Sequence, residues 1–222
     1  MKCLALLLFF LPQVVLADDI AGREGFPSEW WTEVPRDQAA SWEILPQDAG
    51  PGQVILSKRT ELGQFSNFTE TPFAIDGRTY RSVEGFWQAM KFPESAIDPR
   101  ATFAGVIWSH QRPEVAQMIG FEAKAAGDQG TSNMRLMGMN WVTYNGVQMD
   151  YRVPIKGPHY DLIVRAMRQK LEANPALKTL LLRTGDLVLC PDHDQGDAPP
   201  AWKYYAIYME LRAELMVGRF HP

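Results

Sequence analysis

Glu84, Gln88 and Lys91 are the residues of this chain whose types and spacing best suit chemistry. They lie in the run Val83-Glu84-Gly85-Phe86-Trp87-Gln88-Ala89-Met90-Lys91-Phe92. On a 3.6-residue period the three share one stripe, while Val83, Phe86, Trp87 and Met90 share another. A carboxyl group in such a stripe can protonate a leaving group, take a proton from water, or sit as an anion beside a developing positive charge. A lysine drawn out of water loses basicity, and its free amine can attack a carbonyl-type carbon to form an imine. The amide between them offers hydrogen bonds to a polar substrate. Taken alone, the same stripe also fits a polar face turned to water.

The elements that must position the stripe are marked by local signals. Ser82 is a good N-cap and Pro93 a stop, so the spacing predicts a helix of about three turns between them. Upstream, residues 54–56 read as a short strand, and Phe73, Ile75 and the Asp76-Gly77 turn read as a hairpin. Downstream, residues 99–127 read as helix in two pieces broken near Pro113 and Gly120, and residues 127–132 as a loop. Asn145-Gly146 signals a second tight hairpin. Amphipathic spacing predicts a helix over 161–172. A second runs over 175–183 with Gly185 just past its end, and a last one over about 201–217. The expected fold is mainly α, or α+β with a few short strands, in a single helical domain.

Three motifs occur in order: Gly63-Gln64-Phe65-Ser66-Asn67-Phe68, the turn Asp76-Gly77-Arg78-Thr79-Tyr80, and Ser82-Val83-Glu84 through Phe92. Further along stand Asn140-Trp141, then Lys170-Leu171-Glu172 with Pro175, Leu180-Leu181-Leu182 and Thr184-Gly185, and finally Met209-Glu210-Leu211-Arg212. Together, over about residues 54–216, they resemble the NADAR family, the YbiA-like N-glycosidases. The resemblance implies a mainly helical fold and hydrolysis of N-glycosidic bonds. It also implies substrates such as ribosylamino intermediates of riboflavin synthesis or ADP-ribose attached to guanine. The chain departs from the family pattern in four places. Gly85 stands where the family has a histidine, and an insertion with the Asn-Gly hairpin separates Trp141 from Asp161. Asp192, Asp194 and Asp197 compete for the family's acidic position. Ala201-Trp202-Lys203-Tyr204-Tyr205 replaces a glycine-rich turn.

With Glu84 and Lys91 as catalytic residues, the expected substrate-binding set is Gln88, Trp141, Asn67, Phe65, Arg59 and Asp192. Trp141 can stack on a flat base, or it can be a core tryptophan. Phe65 and Asn67 lie in a turn where a short polar side chain can hold the substrate, although Asn67 can also cap that turn locally. Lys58 and Arg59 precede the motif as possible phosphate contacts or ordinary surface cations. Two rival readings stay open: a nucleotide-binding protein that kept the pocket without turnover, and an O-glycosidase pairing Glu84 with Asp192.

Composition narrows the class. The 222 residues carry a formal net charge of −4, which argues against a broad basic surface for nucleic acid but allows a local anion pocket. No phosphate-binding loop, dinucleotide glycine fingerprint, paired-histidine zinc helix or serine elbow occurs, so no metal or cofactor is expected. Cys190-Pro191-Asp192-His193-Asp194 reads as a polar loop, with metal binding the lesser alternative. Lys2, the apolar run over residues 4–11 and the compact residues Val15-Leu16-Ala17 ahead of two aspartates form a signal-peptide pattern, too short to span a bilayer. The expected organisation is a signal peptide over 1–17, an irregular arm over 18–53 and the domain over 54–222. The protein is expected in the periplasm or outside the cell. Its expected partners are a small nucleotide-derived substrate or ADP-ribosylated nucleic acid.

Overall fold

The computed structural model of the chain describes residues 22–220; the expected signal segment lies outside them. The fold is mainly α. Its helices are α1 (Val83–Ala89), α2 (Arg112–Val115), α3 (Gly120–Leu136), α4 (Pro158–Ala173), α5 (Pro175–Arg183) and α6 (Tyr204–Met216). Among the described residues, six short strands form three separate pairs. β1 (Gln53–Ile55) runs parallel to β6 (Val188–Cys190), β2 (Phe73–Ile75) pairs antiparallel with β3 (Arg78–Tyr80), and β4 (Trp141–Tyr144) pairs antiparallel with β5 (Val147–Asp150). Both antiparallel turns use left-handed backbone, with φ 50° at Asp76 and 74° at Gly77, and 51° at Asn145 and 74° at Gly146. This is the conformation that Asp-Gly and Asn-Gly pairs adopt cheaply.

α1 lies at the centre, and every one of its residues is buried. Ser82 caps it as its sequence predicts: the side-chain oxygen accepts the Gly85 amide at 2.9 Å. The helix is shorter than the expected three turns. The Met90 carbonyl is taken by outside donors, the Arg100 guanidinium at 2.9 Å and the Thr143 amide at 3.3 Å, and this ends the intrahelical ladder. The chain keeps its helical sense through Met90, so Lys91 still follows the Glu84–Gln88 stripe.

The expected loop over 127–132 is corrected: those residues form the middle of α3. Their glycines serve contact rather than a turn. A Cβ on Gly127 would lie 1.9 Å from Gln88 Oε1, and one on Gly130 would lie 3.0 Å from Lys91 Cβ. Small residues at these points let α3 approach α1 closely enough to roof the polar stripe. Residues 201–203 are also corrected, since a separate 3-10 turn at Pro200–Trp202 precedes α6.

Residues 22–52 are irregular apart from three 3-10 turns, and they pack on the helical body through Trp30 and Trp31, both buried. The Trp30 indole donates to Glu61 Oε1 and the Trp31 indole to the Gln53 carbonyl, each at 2.9 Å. Burying these rings removes large apolar areas from water while each N–H keeps a partner.

Candidate active site

The stripe of α1 faces the protein interior. Glu84 is 8% exposed, Gln88 9% and Lys91 3%. The Gln88 amide donates to Glu84 Oε1 at 2.6 Å. The Lys91 ammonium donates to the Gly127 carbonyl at 3.1 Å and to Thr131 Oγ1 at 2.8 Å, both on α3. It also lies 5.4 Å from the centre of the Tyr151 ring. The Glu84 amide donates to the Asn67 carbonyl at 2.9 Å, which brings the Gly63–Phe68 motif against the start of α1. That motif is anchored from below. The fully buried Lys170 ammonium donates to the Gln64 and Ser66 carbonyls at 2.8 and 2.9 Å.

Burial sets the proton chemistry. Loss of water raises the Glu84 carboxyl above its usual range, more than the Gln88 hydrogen bond and the Lys91 charge lower it. Loss of water also lowers Lys91 to about 8, opposed by the charge of Glu84 and assisted by that of Arg152. The pair therefore holds a carboxyl that keeps its proton more readily and an amine that loses one more readily. These are the forms required of a general acid and an amine nucleophile. Lys124 and Asp128 of α3, joined by an ion pair at 2.7 Å, add opposing charges to both groups.

A wall that the sequence did not single out flanks this stripe. The Trp87 indole donates to the Tyr151 hydroxyl at 3.2 Å. Trp87 also meets His159 edge-on at 5.2 Å and Trp202 edge-on at 5.9 Å. Burial lowers His159 to about 4, so its ring is neutral near pH 7. Buried polar atoms gather here without hydrogen-bond partners among the described residues: Gln88 Oε1, Asn67 Oδ1, His159 Nε2 and Trp202 Nε1. Such orphans are uncommon in folded proteins, and four around one helix mark a place where a polar ligand would be welcome.

The other expected substrate contacts are placed differently. Phe65 is fully buried, its ring 4.8 Å from that of Tyr208, so it packs the floor beneath the motif. The Arg59 fork is taken by Glu43 at 2.7 and 2.8 Å. Trp141 is half-buried at the start of β4, with the Arg100 guanidinium 4.8 Å from its ring centre. Among the described residues no hydrogen bond or ring contact links Trp141 to Glu84, Gln88 or Lys91. Of the three competing aspartates, Asp192 is the buried one, ion-paired with Lys58 and 2.8 Å from His193 Nδ1. Burial raises its carboxyl, but the His193 and Lys58 hydrogen bonds outweigh that and hold it below its ordinary value. No hydrogen bond joins it to Glu84 among the described residues. Nor does any group of three His, Cys, Asp or Glu side chains there stand ready to hold a metal.

Gly85, where the resembling family has histidine, is sterically fixed. A Cβ there would lie 2.5 Å from the Met118 carbonyl oxygen and 3.0 Å from that of Val115. The opposite face of α1, through Phe86, Ala89 and Met90, backs a half-open cavity of about 610 Å³ rimmed by Arg78, Arg112 and Tyr144. None of the buried stripe reaches it, and the candidate chemistry belongs to the α3 side.

The chain is similar to the N-glycosidase YbiA of Shigella boydii serotype 4 (strain Sb227) and to that of Shigella sonnei (strain Ss046). Each is 24% identical over 144 residues, which cover 65% of this chain and 71% of the relative. The NMR structure of the E. coli protein YbiA aligns over 89% of this chain and 97% of that one, with 19% identity and a TM-score of 0.45. No family model matches the chain.

Proposed function

We propose, from the premise that this chain is a YbiA-like protein of the NADAR family, that it hydrolyses an N-glycosidic bond to ribose in a nucleotide-derived substrate. The observation that carries the reading is the buried stripe of α1. Glu84 has its proton affinity raised and Lys91 its proton affinity lowered by the same loss of water, with Gln88 bridging toward Glu84. In this reading Lys91, as a free amine, bonds to the anomeric carbon while the bond from that carbon to the base breaks and Glu84 gives its proton to the departing nitrogen. The added amine passes a proton back to the Glu84 carboxylate, and opening of the ring, with that proton going to the ring oxygen, leaves an imine. The resulting imine is then hydrolysed, returning the amine and releasing the sugar. Gln88 and Asn67 hold ribose hydroxyls with the oxygens that lack partners among the described residues. The substrate is a ribosylamino compound or ADP-ribosylated guanine, and the signal-peptide pattern over 1–17 supports action in the periplasm or outside the cell.

The test is to incubate the protein with a panel of N-ribosides and with ADP-ribosylated guanine, and to follow the released base by chromatography. Release by the wild type and its loss in Glu84→Gln is the expected result. The replaced turn around Trp202 favours a second reading, a nucleotide-binding protein without turnover. Binding across the panel with no base released would select it.

A further inference from the structure

The cavity behind α1 shares no side chain with the polar stripe. The β2–β3 hairpin, α1, α2 and the β4–β5 turn enclose about 610 Å³ between them. That volume falls within the roughly 300–1,000 Å³ common to small-molecule sites. Its walls are tied to one another. Gln117 Nε2, just past α2, donates to the Thr79 carbonyl at 2.7 Å, and Asn145 Nδ2 donates to Asp76 Oδ2 at 3.1 Å, which joins the two hairpins. The lining is apolar at Phe86, Ala89 and Met90 of α1 and at Pro113 and Ala116 beside them. The Tyr80 and Tyr144 rings meet that of Phe86 edge-on, at 4.8 and 5.6 Å.

Positive charge at the rim exceeds negative. Arg78 and Arg112 both line the cavity, and Arg78 bears on Arg112 as a like charge. Arg112 is committed: it donates to the Phe92 carbonyl at 3.1 Å and to Thr143 Oγ1 at 3.0 Å, and it pairs with Glu94 at 3.2 Å. Glu94 is the one carboxylate of the lining among the described residues, and its other oxygen accepts the Gly146 amide at 2.8 Å. The nearby Asp76 carboxylate is held by the Arg165 fork at 3.2 and 2.7 Å. Arg78 is exposed, and among the described residues nothing hydrogen-bonds or ion-pairs with its guanidinium. We propose that this cavity binds a small molecule with a flat apolar body and a single carboxylate, at a site separate from the α1 stripe. The body lies on Phe86, Ala89 and Met90, and Arg78 takes the carboxylate with both arms of its fork. Arg112 adds a second positive charge. One negative charge matches the two arginines less Glu94, whereas a dianion would set its second charge against that carboxylate. None of these residues belongs to the stripe, so the inference does not rest on the hydrolytic reading.

The test is titration of naphthoate into the protein, followed by backbone amide resonances and by calorimetry. Neutral naphthamide and dianionic naphthyl phosphate serve as comparisons, with the wild type, Arg78→Gln and Glu84→Gln. Arg78 is exposed, so Arg78→Gln should fold as the wild type does, and an unchanged melting temperature checks this. Naphthoate should shift the amides of Ala89, Gln117, Asn145 and Gly146. It should bind the wild type about tenfold more tightly than naphthamide, the worth of a hydrogen bond to a charged group. Arg78→Gln should lose that preference and Glu84→Gln should keep it. Absence of naphthoate binding, shifts confined to the amides around Glu84 and Lys91, or equal binding of naphthamide overturns the proposal. So does tighter binding of the phosphate, or an undiminished preference in Arg78→Gln. Failure of the hydrolytic reading shows separately, as absence of base release from ribosides while the naphthoate preference persists.

Discussion

Gln88 and Gly127 occupy space that only one of them can extend into: a Cβ on Gly127 would fall 1.9 Å from Gln88 Oε1 and 2.1 Å from its Cδ. The side chain that bridges to Glu84 is thus seated by the absence of a side chain on the facing helix. Replacing Gly127 with alanine forces Gln88 out of its position, while alanine itself favours helix over glycine by about 1 kcal/mol. The expected outcome is a variant whose stability changes by less than about 1 kcal/mol and whose turnover drops at least tenfold. Denaturant titration and base release measure the two. A fully active Gly127→Ala variant would show that the Gln88–Glu84 bridge is dispensable.

Glu84 and Lys91 can be separated by substitutions that keep shape or charge. Glu84→Gln should lower turnover by about 10²–10⁴-fold, the usual worth of general acid–base catalysis. Lys91→Arg keeps the charge but supplies a group that stays protonated, so it should be inactive. Borohydride added during turnover should fix the sugar on Lys91 of the wild type, read by mass spectrometry of the peptide. Full activity in Lys91→Arg would rule out an imine.

The lowered proton affinity of Lys91 also has a stability signature. Its native value is about 8, against 10.5 for an ordinary lysine. Between those two pH values the unfolded chain holds a proton there that the native state has released. More protons on the unfolded state means that this group's contribution to stability rises with pH across the window. Lys91→Met has no such proton. Relative to wild type it should therefore be more stable at pH 7.5 than at pH 9.5, in urea titrations at both. A gap that widens with pH would contradict the burial of a reluctant ammonium beside Glu84, Arg152, Lys124 and Asp128.

Gly85 offers a test of how closely α1 is packed. Placing a histidine there puts a Cβ 2.5 Å from the Met118 carbonyl oxygen, an atom of the backbone that cannot swing aside. Overpacking of this kind costs about 3 kcal/mol, so Gly85→His should unfold at markedly lower urea concentration. A variant as stable as wild type would mean that the turn between α2 and α3 yields easily.

The features legible in the sequence are those with local causes. Ser82 caps α1, Asn145-Gly146 turns β4 into β5, and the 3.6-residue stripe placed Glu84, Gln88 and Lys91 on one face. Gly127 and Gly130 were misread because glycine weakens a helix when judged by its neighbours in sequence, whereas here the demand comes from another helix. The wall of Tyr151, His159 and Trp202 was illegible for a related reason. Its members come from separate segments, and nothing in their spacing announces that they converge on Trp87. Phe65 and Asn67, two residues apart in one turn, divide between core and site, a distinction decided by the packing of Tyr208 and Glu84 around them.

The parallel pairing of β1 with β6 joins segments from opposite ends of the described chain, and the amides of Ile44 and Leu56 extend it by donating to the carbonyls of Asp192 and Cys190. A growing polypeptide therefore makes the first of these strands long before its mate exists. In the interval that strand presents a bare edge, open to pairing with any passing strand. Chains cut short of Val188 should accordingly clump rather than yield a smaller folded body, and closure of the native body must wait for nearly the last stretch to be synthesised.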